Sequence, residues 1–387
     1  MPSTSIWPRE ENKLFFRLLR VSLGLENDFG CQPSAEEWQQ LYKTAQKQSL
    51  VGVLFNAVSR VPADSRPPVD ILLQWMSHAE YIQGLNRLFN SHSAHLTKVL
   101  EDEGCHTAIL KGQANARLYP DPLSRQPGDI DIYVSGGRRN VTQVLLRTGL
   151  IDSVPVSTSS DPDKAVASYH HIHLPVNENG IAVEVHFRPA SGNYNVFTNR
   201  RLQRFLESEI KDSPLAPEGF RVPDFKFALA MQLAHIQRHF LSEGIGLRQI
   251  SDYLILLLNS SETDRAEIRE KLRSYGLDKT AGALMWLLQQ VYNLDEEHTL
   301  CAPDAFRGEW MLRDVMSGGN FGHHSGNNRL GIWKRFFRSK SRKAGLTRFD
   351  FREVFWMEIN YWITIIRTLP ERIRRRSLSL SSAPKKH

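Results

Sequence analysis

The chain has 387 residues, 41% hydrophobic and 24% charged, with a formal net charge of +7. That balance excludes a fibrous or wholly disordered chain and leaves enough apolar material for a sizeable core without disulfide staples. No apolar run reaches the roughly 20 residues that a bilayer span needs, and the start MPSTSIWPREENK lacks the order of a signal peptide.

Three separated cysteines (Cys31, Cys105 and Cys301) make no metal-spaced pair, so a cytoplasmic setting is expected. The first hundred residues carry apolar side chains at helical spacing over Glu10 to Leu23 and over Glu36 to Ser59. The prolines of VPADSRPP (61–68) interrupt this pattern, and a longer helix is expected from Val69 to Glu101, stopping before Gly104. Thr107 to Leu110 (TAIL) reads as a buried strand that ends in Lys111-Gly112, and Gln113 to Leu118 as a short helix. A proline-rich loop leads to the alternating strand Asp129 to Val134 (DIDIYV) and then to a helix over Arg138 to Thr148, closed by Gly149.

Two alternating runs, His170 to Val176 and Ile181 to Phe187, flank a polar turn ending in Gly180 and predict a β-hairpin. Pairing Val176 with Ile181 also pairs Leu174 with Val183 and Ile172 with Val185. One face is then apolar, and the other carries His171, His173, Glu184 and His186. From Asp224 the pattern is helical again, over Phe225 to Phe240, Leu247 to Leu258, Glu262 to Tyr275 and Thr280 to Tyr292. A glycine-rich loop (318–331) with His323 and His324 follows, then a last helix from about Phe351 to Leu369. These segments predict an α+β fold. Its mixed-sheet core (104–222) lies between an N-terminal helical region (1–103) and a C-terminal helical bundle (223–376), with a disordered tail (377–387). The basic stretches Lys334 to Arg348 and Arg372 to Arg376 suit an acidic partner or an anionic membrane surface, or form a solvated tail.

Asp129 and Asp131 stand two apart on one strand and therefore point to the same side. Two adjacent carboxylates repel unless a cation lies between them. Magnesium takes hard oxygen ligands, one or two carboxylates with phosphates and water. Upstream, Gly112 lets a phosphate approach the backbone, the amides at the following helix start favour an anion, and Lys111 adds positive charge. Glu184, on a later polar strand face, is a third carboxylate. Three carboxylates from two strands suit two metal ions in an in-line displacement.

The order Lys111-Gly112, Tyr119, Arg125, Asp129-x-Asp131 and Glu184-x-His186 resembles the uncharacterised bacterial nucleotidyltransferase family within the polymerase-beta-like superfamily. The match is tightest from about Thr107 to Arg188, and His235 and the stretch around Asp252 extend it more loosely. Two departures stand out: Gln113 follows Gly112 where relatives carry glycine or serine, and Glu184 stands where many carry aspartate. The resemblance implies two magnesium ions on Asp129, Asp131 and Glu184. It implies that Glu184 helps to deprotonate an acceptor hydroxyl, and that Lys111, Gly112 and Arg125 bind the phosphates of a nucleoside triphosphate such as ATP. His186 and His173 would orient Glu184 or contact substrate. The acceptor stays open among small molecule, sugar, protein and RNA. Two rival readings stand beside this one: a zinc-dependent hydrolase or metal-binding module on His171, His173, His186 and Glu184, and a catalytically inactive nucleotide-binding protein. His235 and His239, one helical turn apart, read as core or interface residues rather than a chelate.

Overall fold

The computed structural model describes residues 10–156, 165–176, 179–318, 345–363 and 366. The basic stretch up to residue 344, Arg372 to Arg376, the loop with His323 and His324, and the tail 377–387 lie outside the described residues. Among those described, no helix is long and apolar enough to cross a membrane.

The fold is α+β. Helices α1 (Glu10–Ser22), α2 (Ala35–Gln48), α3 (Val51–Val58) and α4 (Val69–Asp102) lead into β1 (Thr107–Ile109), α5 (Gln113–Ala116), β2 (Ile130–Val134) and α6 (Gly137–Arg147). Strands β3 (Val166–Ala167), β4 (His171–His173) and β5 (Val183–His186) complete the sheet. Helices α7 (Val196–Glu209), α8 (Phe225–Ser242), α9 (Leu247–Asn259), α10 (Glu262–Tyr275), α11 (Asp278–Tyr292) and α12 (Ala305–Gly318) follow, and residues 345–349 and 351–363 are also helical. The five-stranded sheet runs β1-β2-β5-β4-β3. Only β2 and β5 are parallel; the other neighbours are antiparallel.

The predicted hairpin register holds, with Ile172 opposite Val185 and Leu174 N–H bonded to the Val183 carbonyl at 3.0 Å. The expected single helix over Glu36 to Ser59 is two. Ser49 turns into the left-handed region (φ 56°), and the buried Gln48 side chain leaves the helix axis, donating to the Val315 carbonyl and accepting from Leu247 N–H. A tertiary demand on Gln48 overrides local periodicity there. Helices α7 and α12 and the two-residue β3 were not anticipated.

Two apolar cores organise the chain. Ile109, Ile130, Ile132, Val134, Ile172, Val183 and Val185 form the underside of the sheet, packed on Leu96 and Leu100 of α4 and on Val141, Val144 and Leu145 of α6. The other core joins helices from both ends of the chain, including Leu18, Trp38, Leu54, Trp75, Leu233, Leu254 and Leu284. Helix α4, with 34 residues and so about 50 Å long, contributes Ile71, Trp75 and Ile82 to one core and Phe89, Leu96 and Leu100 to the other. It also holds the loop before β2, because the buried Asn86 amide donates to the carbonyls of Leu123 (2.7 Å) and Arg125 (2.8 Å).

Gly52 of α3 packs on the same loop. A Cβ there would lie 2.3 Å from the Ser124 carbonyl oxygen. Gly52→Ala is therefore expected to destabilise the protein by about 1–3 kcal/mol, as overpacking does, read as a lower midpoint in urea. A variant as stable as its parent would show that helix and loop separate without loss.

Candidate active site

Strand alternation sets the site. Ile130, Ile132 and Val134 point into the core, so Asp131 and Tyr133 point to the opposite face. On β5, Val183 and Val185 point down, and Glu184 and His186 point up. Parallel pairing places Asp131 beside Glu184 and Tyr133 beside His186. Antiparallel pairing with β4 places His171 opposite His186 and His173 opposite Glu184. Asp129 precedes the strand by one residue and is half-buried.

The carboxylates are already met by positive groups. Lys111 Nζ lies 3.4 Å from Asp129 Oδ1 and touches Asp131 Oδ2. His186 Nε2 stands 3.0 Å from Asp131 Oδ1 and 3.3 Å from Glu184 Oε2. His171 Nδ1 and His173 Nδ1 approach Glu184 at 3.2 and 3.5 Å. The sequence argument left only an added metal ion between the acids; the structure places a lysine and a histidine there. Burial works against both charges, but the surrounding carboxylates outweigh it. Lys111 is held firmly protonated, and His186 is raised to about 9.

The carboxylates divide accordingly. The Lys111 charge lowers Asp129. Burial, reinforced by the Asp129 charge, raises Asp131. Burial opposes ionisation of Glu184 too, yet its hydrogen bond from His186 and the cations around it hold it far below the usual carboxylate range. Burial pushes His170 down to about 2 and His171 to about 4, so both stay neutral. Two buried atoms lack hydrogen bonds: His186 Nδ1, and Asp131 Oδ2, which lies against Lys111 Nζ outside hydrogen-bonding geometry.

These residues line a cleft of about 420 Å³ between the sheet and α8, whose Met231, His235, Arg238 and His239 form the far wall. Arg238 stacks on Tyr194, 4.0 Å from the ring centroid. His235 is half-buried, and desolvation first, then the neighbouring imidazoles and Lys111, lower its pKa well below the usual value. His239 bonds Glu243 at 3.3 Å.

Among the described residues, three groups bring donor atoms within 4.8 Å of one another: His170/His171/His186, His171/His173/Glu184 and Asp131/Glu184/His186. Asp129 belongs to none of them, so the expected Asp129/Asp131/Glu184 set is not gathered as tightly as the sequence suggests. Asp129 leans toward Lys111 instead.

Two phosphate-site expectations change. Gly112 adopts φ 64°, as its glycine allows, but the helix it begins has four residues, too few for a useful dipole. Arg125 is buried, and its Nε and Nη2 donate to Asp252 Oδ1 and Oδ2 at 2.6 and 2.7 Å. Tyr119 donates to the same carboxylate at 2.8 Å. The arginine fork is engaged in a buried ion pair, and Arg125 also lines the recess that holds Lys111 and Gly112. Arg248, one helical turn before Asp252, was not singled out from sequence. Its Nη1 donates to the Gln126 carbonyl at 3.0 Å, and its buried Nε has no partner. It lines a small recess with Lys111, Gly112, Arg125, Gly128, Asp129 and Asp252. Burial, with repulsion from Arg125, lowers it to about 10, which marks a cation short of a counter-charge. Only its position one turn from Asp252 hinted at this.

The model of the uncharacterised nucleotidyltransferase family matches residues 34–293. No curated protein matches the chain. An antigenic nucleotidyltransferase-like protein from Paracoccidioides brasiliensis, known from its crystal structure, is similar at 16% identity and a TM-score of 0.34. It is covered over 96% of its length and matches 57% of this chain, a likeness too distant to argue from.

Removing one member of a buried ion pair leaves a bare charge, which is destabilising by about 3–5 kcal/mol. Asp252→Asn is expected to show a loss of that size in urea unfolding at neutral pH, and the double change Arg125→Met with Asp252→Leu to recover most of it. A single variant near parental stability would release Arg125 for a substrate role.

Proposed function

The chain belongs to the uncharacterised nucleotidyltransferase family, and on that premise we propose that it moves a nucleoside monophosphate from a nucleoside triphosphate to an acceptor hydroxyl. In this reaction the acceptor oxygen bonds to the α-phosphorus as its proton passes by way of Glu184 to solvent, the bond from the α-phosphorus to the bridging oxygen breaks, and pyrophosphate departs with the electron pair.

One observation supports it above the others: Asp131 and Glu184 stand side by side on parallel strands at the floor of a cleft, with the buried Asp131 Oδ2 already in contact with a cation, the Lys111 ammonium. Such an oxygen fits a hard divalent cation. Asp131 and Glu184 would be the inner magnesium ligands. Asp129 would be an outer one, closing on the ion as Lys111 leaves the space between the aspartates. Bound magnesium would neutralise the triphosphate and polarise the phosphorus under attack.

The protein's own groups do the rest. Lys111, displaced from the carboxylates, turns its charge to the phosphates. Arg248 takes the part expected of Arg125, since its guanidinium is buried beside Gly128 and under-paired. His186 holds Asp131 and Glu184 in register. Glu184, strongly favoured as an anion, would hold a cation and, as the sequence resemblance implies, help to pass the acceptor proton to solvent. The acceptor would enter along α8, past His235 and Arg238.

Isothermal titration with ATP and the other nucleoside triphosphates tests this reading. Binding is expected to require magnesium, to vanish in Asp131→Asn, and to weaken about tenfold in Arg248→Ala, the loss of one charge-assisted contact. Incubation of each labelled triphosphate with a cell extract should then label one acceptor class. Magnesium-dependent binding with no labelled product would leave a nucleotide-binding protein, and binding indifferent to magnesium or to Asp131 would sink the proposal.

A further inference from the structure

Strands β4 and β5 carry more imidazole than nucleotidyl transfer uses. His170 sits at a bend just before β4, where strand alternation has not begun. Its ring therefore turns to the same side as its neighbour's, with centroids 4.2 Å apart. His170 Nε2 and His171 Nδ1 face each other at 3.0 Å. One ring nitrogen of His186 joins them, and all three lie within 4.8 Å of one another on the wall of the open cleft.

His186 supplies an independent sign. Its Nε2 faces the carboxylates of Asp131 and Glu184 at 3.0 and 3.3 Å, whereas its Nδ1 is buried without a partner. A metal-bound imidazole commonly gives its second N–H to a carboxylate, which fixes the tautomer and makes the coordinating nitrogen more basic. The residue is arranged in that way, with the bare nitrogen left over.

We propose that His170, His171 and His186 form a binding site for a transition-metal dication of the zinc type, with His186 coordinating through Nδ1. Three imidazoles suit zinc, whose nitrogen ligands lie about 2.0–2.1 Å from the ion and so about 3.3 Å from one another. The 3.0 Å contact between His170 and His171 needs to open by only a few tenths of an ångström. Magnesium, which requires oxygen ligands, is disfavoured there. Glu184 Oε2, 3.2 Å from His171 Nδ1, is placed to be a fourth donor, or the fourth position opens on the cleft. The zinc set weighed from the sequence is thereby redrawn: His170 enters, and His173, which reaches Glu184 from an exposed position, leaves. The site does not rest on the nucleotidyl-transfer reading.

Chelator-stripped protein titrated with cobalt(II) tests the site, because cobalt replaces zinc and its visible absorption reports nitrogen coordination. One equivalent with that absorption is expected, displaced by zinc but not by millimolar magnesium. His170→Ala should weaken binding by about tenfold or more with its thermal midpoint unchanged, since His170 is half-buried. Asp129→Asn should bind cobalt as the parent does. Cobalt bound well below one equivalent by the parent protein, or bound equally by His170→Ala and His171→Ala, overturns the site. Magnesium-dependent nucleotide binding measured on the same His170→Ala sample reports separately on the transfer reading, so either proposal can fail alone.

Discussion

The parallel pairing of β2 with β5 is the constraint on which the rest depends. Among the pairings between the described strands it is the parallel one, and it sets Asp131 directly beside Glu184. Two acids held this close in a buried position are unfavourable by themselves. The fold answers by sending Lys111 from the end of β1 and His186 from β5 itself into the same space. Three carboxylates, counting Asp129, face two firmly held cations. The remaining negative charge is what a divalent ion would complete, taking the place beside Asp131 Oδ2 that the Lys111 ammonium holds.

Holding such a cluster requires a rigid frame. Helix α4 serves both apolar cores, so the sheet and the surrounding helices cannot shift independently without exposing one of them. Asn86 on that helix fastens the loop that delivers Asp129, and Arg125 in that loop is locked to Asp252 on α9. The buried pair therefore acts as a brace between the acid-bearing strand and the helical wall of the cleft. Arg125 thus lines the recess beside Lys111 and Gly112 while its fork is taken up by Asp252. Arg248, left short of a counter-charge because Asp252 is taken, carries the free positive charge into the recess.

Much of this was legible from local rules. The hairpin register followed from two-residue alternation, because a slip by one would have put Ile172 and Val185 in solvent and the histidines in the core. Asp129 and Asp131 were visible as a pair, and Lys111-Gly112 as a strand end. What escaped depended on partners distant in sequence. Nothing near Arg125 says that Asp252, 127 residues on, will claim it. Nothing near Gln48 says that its side chain will be held by Leu247 and Val315, or that its helix will stop there. The outward lean of Asp129 depends on where Lys111 rests, which is a matter of packing and not of spacing.

His186 links the two halves of the site. As an imidazolium it supplies one of the cations that hold Asp131 and Glu184 together. As a metal ligand through Nδ1 it must give up that proton, although its Nε2–H still reaches the carboxylates. A dication bound by the three histidines would restore positive charge to the neighbourhood, close to Glu184 Oε2, which lies 3.2 Å from His171 Nδ1. Binding at one position therefore bears on affinity at the other through a single ring, with no shift of the sheet required.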